Sequence, residues 1–417
     1  MVSKQKRLLS LLAFFCSCSP LLAQDTLSVG DAVRYEFLDQ EENRIHNVVS
    51  LSEFYEKLYR LRNGENFQVR IIHVGDSHIQ ADFLSGVIRQ NFHRDFGNGG
   101  RGLIFPGRVA RTNEPSNFFS SSSSQWQVKR IVFPDQPLPI GISGITLRTL
   151  QPNATLAIKV LDAPSLDYGF NKITLFFKKD ASSFNVVIKD SVNEDVAFIG
   201  PYTFEAFANT STVLLPFRTH QVTFQMLSST AAQNQGTIFG INLENSRPGL
   251  VYHSIGVNGA KFKHYLAAEF FVDQTVALAP DLLILSLGTN EALDYPYFDP
   301  QFANQMDSLI ERLKAKNPNA KILLTTPPDS YRRKTRRNPG VEIIRNKITH
   351  YADLHNLACW DLYQVGGGKY SADLWKKNRL MRHDGIHFNV PGYALQGNLL
   401  YGALMKGYDE YVQYRHP

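Results

Sequence analysis

Val69-Arg-Ile-Ile-His-Val74, followed at once by Gly75-Asp76-Ser77-His78, is the stretch on which the fold turns. The first six residues form an apolar run bounded by a glycine, which reads as a buried strand. From Ile79 to Phe96 the apolar residues resume helical spacing, so Gly75-Asp76-Ser77-His78 falls at a strand-to-helix turn. Turns of this kind hold functional side chains clear of a sheet. Just upstream, Leu51, Phe54, Leu58 and Leu61 mark a helix ended by Asn63-Gly64.

Downstream the texture changes. Gly97-Asn-Gly-Gly-Arg-Gly102 and the serine-rich stretch 116–124 lead into short strand-like runs separated by Asn, Asp, Gly and Pro turns. Examples are Thr155–Val160, Lys172–Phe177, Gln221–Phe224 and Thr237–Leu243. That spacing predicts an antiparallel sandwich inserted at about residues 106–247. After Pro248-Gly249 the α/β texture returns. Strands are expected at 250–255, 281–287 and 321–326, and helices near 260–271, 300–316 and 341–357. A parallel sheet interrupted between its first and second strands is implied. The expected division is residues 1–23, 24–105, 106–247 and 248–417.

The chain has 417 residues and 43% hydrophobic content, enough for two packed cores. Residues 1–23 contain Lys4, Lys6 and Arg7, an apolar run from Leu8 to Phe15, and Leu21-Leu22-Ala23 before polar Gln24. This is the layout of a cleavable export signal, and the run is shorter than the roughly 20 residues a membrane span needs. A periplasmic or extracellular location follows, with lipid attachment at Cys16 or Cys18 as the lesser alternative. Removing the signal lowers the formal charge from +6 to 41 − 38 = +3 and leaves Cys359 as the single thiol, which excludes an internal disulfide. The small surplus of positive charge gives no reason to expect nucleic acid as a partner.

The residues that carry chemistry lie where an open α/β sheet places its site, beyond the carboxyl ends of strands. Ser77 offers a hydroxyl, His387 a proton acceptor, and Asp384, three residues earlier, a carboxylate to orient the imidazole. The amide of Gly259, in Gly256-Val-Asn-Gly-Ala260, and the side chain of Asn290, in Gly288-Thr-Asn-Glu291, are donors of the kind an oxyanion hole needs. The bland readings stand beside these. Ser77 suits a helix cap, Gly259 a tight turn, Asn290 a loop cap and Asp384-Gly385 a turn.

On these four blocks in this order, the chain resembles the SGNH hydrolases, also called GDSL-type esterases. The resemblance covers about 240 residues, 30–105 and 248–417, and excludes the β insert. It implies a three-layer, flavodoxin-like α/β domain with a parallel central sheet, catalytic Ser77, Asp384 and His387, an oxyanion hole of Ser77, Gly259 and Asn290, and neither metal nor organic cofactor. His78 stands where leucine is usual, and Asn290-Glu291 where many members have Asn-Asp. With the β insert, these departures resemble the branch containing bacterial peptidoglycan O-acetylesterases, whose insert resembles a carbohydrate-binding module.

The expected function is therefore removal of O-acetyl groups from a polysaccharide partner, peptidoglycan first and acetylxylan or another plant glycan second. An O-acyltransferase and a glycan-binding protein with an inactive site are the other classes; oligomeric state is not legible. His73, His78, Asp76 and His383 lack the paired spacing of a zinc site. Arg332-Arg-Lys-Thr-Arg-Arg337 should lie on the active-site side of the sheet, as a solvated loop or an attractor of acidic polymer. Trp126, Tyr168, Phe170, Phe176 and Phe177 are candidates for a sugar-stacking face or for core.

Overall fold

The computed structural model describes residues 35–133, 135–202 and 207–415, and the expected export signal lies outside them. At the centre is a five-stranded sheet in the spatial order Gly249–Gly256, Gln68–Gly75, Leu282–Ser286, Lys321–Thr325, Ala358–Trp360. All four pairings are parallel, with Val69 opposite Leu250 and Ile71 opposite Leu282. In chain order this is 2-1-3-4-5, the flavodoxin-like arrangement, and its direction reverses beside the first strand. Residues 71–75 of that strand are buried without alternation, because helices cover both faces.

On one face lie Ser52–Arg62, Phe83–Phe96 and Val390–Arg415, packing Leu58, Ile88 and Leu399 onto Ile71, Leu250 and Leu323. On the other lie Phe262–Ala267, Phe302–Lys316 and Gly340–Leu354, packing Phe262, Leu309 and Ile344 onto Val74, Leu285 and Leu324. Each such side chain, fully buried, contributes about 1.5–3 kcal/mol. The C-terminal helix approaches its neighbour closely through Gly397, where a Cβ would stand 2.7 Å from the Leu84 carbonyl oxygen. Neither this helix nor the short strand Ala358–Trp360 was foreseen from the sequence.

The helix expected over 79–96 is two helices, Ser77–Gln80 and Phe83–Phe96, separated at Ala81-Asp82. Asp82 takes a left-handed φ of 61° because its buried carboxylate is held from several sides. It accepts Arg89 Nη1 and Nη2 at 2.8 and 2.5 Å, Arg101 Nη2 at 3.0 Å, Asn117 Nδ2 at 2.8 Å and Ser85 Oγ at 2.6 Å. Burial opposes its ionisation, but the two guanidinium groups overcome this and hold the carboxyl well below the usual range. The helix expected near 260–271 likewise divides into Phe262–Ala267 and Phe271–Thr275.

Between Gly102 and Glu244 the strands form two antiparallel sheets. One runs Thr210–Thr219, Phe170–Phe177, Gly236–Glu244, Ile145–Thr149, Gln127–Arg130, with Gly102–Ile104 also on Gly236–Glu244; the other runs Phe118–Ser121, Thr155–Val160, Gln221–Leu227, Asn185–Lys189, Asp195–Ile199. Leu156, Ile158, Ile173, Val222, Phe224 and Ile241 fill the space between them. Ile142, Leu147 and Phe239 join Val257, Tyr265 and Phe271 in a common core, which seats this β structure on the α/β layers. The five aromatic candidates named from the sequence do not together form an exposed sugar-stacking face. Tyr168, Phe170, Phe176 and Phe177 are buried in the cores, and Trp126 is half-buried with its Nε1 donating to Ser122 Oγ at 2.9 Å.

Candidate active site

The site is built from the turn that follows the first strand. Only glycine fits at position 75, where a Cβ would lie 2.3 Å from Ile79 Cγ1 and 2.9 Å from the Ser286 carbonyl oxygen. Asp76 then caps the helix Ser77–Gln80, its Oδ1 accepting the amide of His78 at 2.9 Å. Ser77, one residue later, is thus the first helical residue, beside the point where strand order reverses. Its amide has no hydrogen-bond partner among the described residues.

The other sequence-selected groups converge here from distant parts of the chain. His387 Nε2 lies 2.9 Å from Ser77 Oγ, and His387 Nδ1 lies 2.9 Å from Asp384 Oδ2. Asp384 Oδ1 accepts the amides of Ile386 and His387 at 2.8 and 2.9 Å, fixing the loop in a compact turn. Partial burial works to raise the Asp384 pKa, but these amide bonds and the imidazole outweigh it and leave the carboxyl below its ordinary value. Asp384 is therefore a carboxylate able to hold the Nδ1 proton of His387.

Gly259 adopts φ 81°, a left-handed conformation that favours glycine, and its amide has no partner among the described residues. Asn290 Nδ2 donates to Asp76 Oδ2 at 3.1 Å and to the Ala260 carbonyl at 3.0 Å. Ser77, Gly259, Asn290 and His387 line one cleft of about 580 Å³, together with Asn113 and Arg382.

Several supporting residues were missed in the sequence. Gln80 Oε1 accepts the Asn258 amide at 2.6 Å, while its Nε2 donates to Thr112 Oγ1 at 2.7 Å and the Asn113 carbonyl at 3.2 Å. Glu291 is buried and its Oε1 accepts the amide of Phe262 at 2.8 Å, anchoring the segment that follows Gly259. Burial pushes the Glu291 pKa up to about 7 and that of Asp76 up to about 6. No residue-spacing rule marks a glutamine in a helical stretch, or a glutamate after an asparagine, as an anchor for another loop.

His73 and His78 turn away from ligand roles toward tyrosines. His73 Nδ1 is 2.7 Å from the Tyr252 hydroxyl and its Nε2 is 2.6 Å from Ser286 Oγ, whereas His78 Nδ1 is 3.0 Å from the Tyr393 hydroxyl. Burial lowers both imidazole pKa values to about 3, which keeps them neutral. His78 also lies 5.5 Å, ring to ring, from His387 and so forms part of its packing. The arginine-rich segment is a hairpin of Tyr331–Arg332 and Arg336–Arg337 that sits against the Asp384 turn, with the Tyr331 amide donating to the Gly385 carbonyl at 2.7 Å.

Residues 228–395 match the GDSL-like Lipase/Acylhydrolase family. Among solved structures, a peptidoglycan O-acetylesterase aligns over 92% of this chain and 99% of its own at 18% identity, with a TM-score of 0.72. A GDSL-like lipase from Bacteroides thetaiotaomicron aligns over 38% of this chain and 76% of its own, at 19% identity and a TM-score of 0.30. A family two carbohydrate esterase from Cellvibrio japonicus aligns over 70% and 98%, at 12% identity and a TM-score of 0.28. No curated protein matches the sequence. The matched span contains the glycine, asparagine and Asp-x-x-His blocks, and the nucleophile block meets them at the reversal point of a 2-1-3-4-5 sheet. Residues 228–395 thus match the GDSL-like lipase/acylhydrolase family, the likeness to the solved esterase extends the shared fold over nearly the whole chain, and together they support a carboxylic ester hydrolase.

Proposed function

We propose that this protein is an exported O-acetylesterase acting on a polysaccharide, with Ser77 as nucleophile, His387 as general base and acid, and Asp384 as the group that orients the imidazole. The observation that carries the reading is the pair of 2.9 Å contacts from His387, one to Ser77 Oγ and one to Asp384 Oδ2. His387 Nε2 takes the Ser77 proton as Oγ attacks the acetyl carbonyl carbon. The carbonyl electrons move to oxygen, and the oxyanion is held by the amides of Ser77 and Gly259 and by Asn290. Asn290 Nδ2 gives up or shares its bond to the Ala260 carbonyl, since a full negative charge is the stronger acceptor. The sugar oxygen leaves with the proton from His387, and water repeats the sequence on acetyl-Ser77 to release acetate.

Peptidoglycan is the first substrate choice, because the peptidoglycan O-acetylesterase aligns over nearly the whole of both chains, β sheets included. The β structure, at about residues 106–247, would present the polymer, and Asn113 brings it to the cleft. Ser77→Ala should abolish hydrolysis of p-nitrophenyl acetate; equal rates for variant and wild type would remove the assignment. Acetate release from O-acetylated peptidoglycan and from acetylxylan, measured side by side, ranks the two substrates, and failure on both ends the polysaccharide reading.

A further inference from the structure

The chain is close to neutral overall, yet one face of it is not. Residues 331–337, Tyr-Arg-Arg-Lys-Thr-Arg-Arg, and 376–382, Lys-Lys-Asn-Arg-Leu-Met-Arg, together carry nine lysines and arginines and no acid. The fold brings these two segments to the same side of the Asp384 turn. Tyr331 donates its amide to the Gly385 carbonyl, Lys376 Nζ lies 4.9 Å above the Tyr331 ring, and Arg382 donates its amide to the His387 carbonyl at 2.8 Å. Asp329, which accepts the Ala372 amide at 3.1 Å, fastens the Ser371–Lys377 helix to the segment leading into the hairpin. Of the nine cations, Arg337 pairs with Asp373; the other eight make no ion pair with a described residue. Arg382 reaches the cleft itself, which it lines together with His387.

Eight cations without an ion-pair partner, on two segments that meet at one turn, raise one another's energy, a cost that an anionic partner relieves. Their position narrows the partner's chemistry: the face is continuous with a cleft that cleaves an ester, so the polyanion is the substrate chain. We infer that the enzyme selects a carboxylate-bearing glycan, with Arg382 receiving a carboxylate beside the acetylated sugar and the 331–337 hairpin receiving those of neighbouring residues. This rests on the esterase reading of the cleft. Arg382 is suited to the task because a guanidinium forks onto a carboxylate in a way that lysine cannot.

The test compares one glycan in two charge states: O-acetylated peptidoglycan fragments with free carboxylates, and the same fragments after amidation. Acetate release gives kcat/KM for each, and their ratio cancels any general loss of activity. The wild type should prefer the acidic form by about tenfold or more at low ionic strength. The ratio should fall toward one in Arg382→Gln, in Arg332→Gln/Arg333→Gln/Arg336→Gln, and in about 1 M salt, where screening acts within about 3 Å. These side chains are at least partly exposed, so melting temperatures should match the wild type and the salt series needs no variant. Equal rates on both forms, or a preference that survives every change, would overturn the inference. Retention of the protein on duplex DNA or on phosphatidylglycerol vesicles, with a ratio of one, would reassign the face to a different partner. Failure of the esterase reading shows separately, as p-nitrophenyl acetate hydrolysis that persists in Ser77→Ala.

Discussion

Gln80 Oε1 accepts the amide of Asn258 at 2.6 Å, and this one bond ties the helix that begins with Ser77 to the loop that carries Gly259. Gln80→Leu keeps the side chain's bulk but releases the loop from both Asn258 and the 112–113 segment. The expected result is a fall in kcat of about 10- to 100-fold for an acetate ester, with KM little changed, because the effect is on donor placement in the transition state. Steady-state kinetics on p-nitrophenyl acetate check this, and a drop confined to KM would refute it.

Asn290 joins the proposed oxyanion donors to the buried Asp76 carboxyl. Asn290→Ala should lower kcat about 10²- to 10³-fold, measured with the same ester. Its circular dichroism spectrum should match the wild type, since Asp76 Oδ1 keeps the amide of His78 and the helix it caps.

Asp76 and Glu291 make stability depend on pH in an unusual direction. Burial raises both pKa values, to about 6 and about 7, so between their unfolded values near 4 and these folded values the native state binds more protons than the unfolded chain. Their contribution is complete below about pH 4 and is lost as pH rises toward 7. Glu291→Gln cannot ionise, and should raise the melting temperature at pH 8 relative to wild type while changing it little at pH 4. The gain at pH 8 should be on the order of 3 kcal/mol at most. An equal shift at both pH values would show that packing, not charge, decides the effect.

Asp82 supplies the carboxylate between Arg89 and Arg101, all three side chains being buried. Asp82→Asn leaves two guanidinium groups without a counter-charge and should cost about 3–5 kcal/mol. Urea unfolding followed by fluorescence would report this as a lower midpoint. A midpoint within experimental error of wild type would mean that the two arginines do not depend on Asp82.

His78 stands where leucine is usual in the GDSL-type esterases that the chain resembles, yet it is buried and neutral, with a tyrosine partner. His78→Leu should therefore retain activity within about tenfold, while His387→Ala should lose several orders of magnitude. Comparable losses in the two variants would give His78 a direct part in the chemistry.

The local sequence determined the strand, the turn and the residue types. An apolar run ending in glycine makes a buried strand wherever it lies, and Gly75-Asp76-Ser77-His78 carries its own cap and the hydroxyl proposed as nucleophile. The four blocks also showed which side chains to look for. Tertiary structure decided how they are held. The break at Asp82 depends on Arg89, Arg101 and Asn117; the glycine loop depends on a glutamine 178 positions earlier. The strand Ala358–Trp360 is only three residues long and takes its identity from the pairing with Lys321–Thr325. The clustering of cationic side chains beside the cleft arises in the same way, because charge along a chain adds up to a surface only where folding brings separate segments together. Periodicity and motifs report interactions within a few residues, whereas these features are set by contacts between groups that meet only in the folded protein.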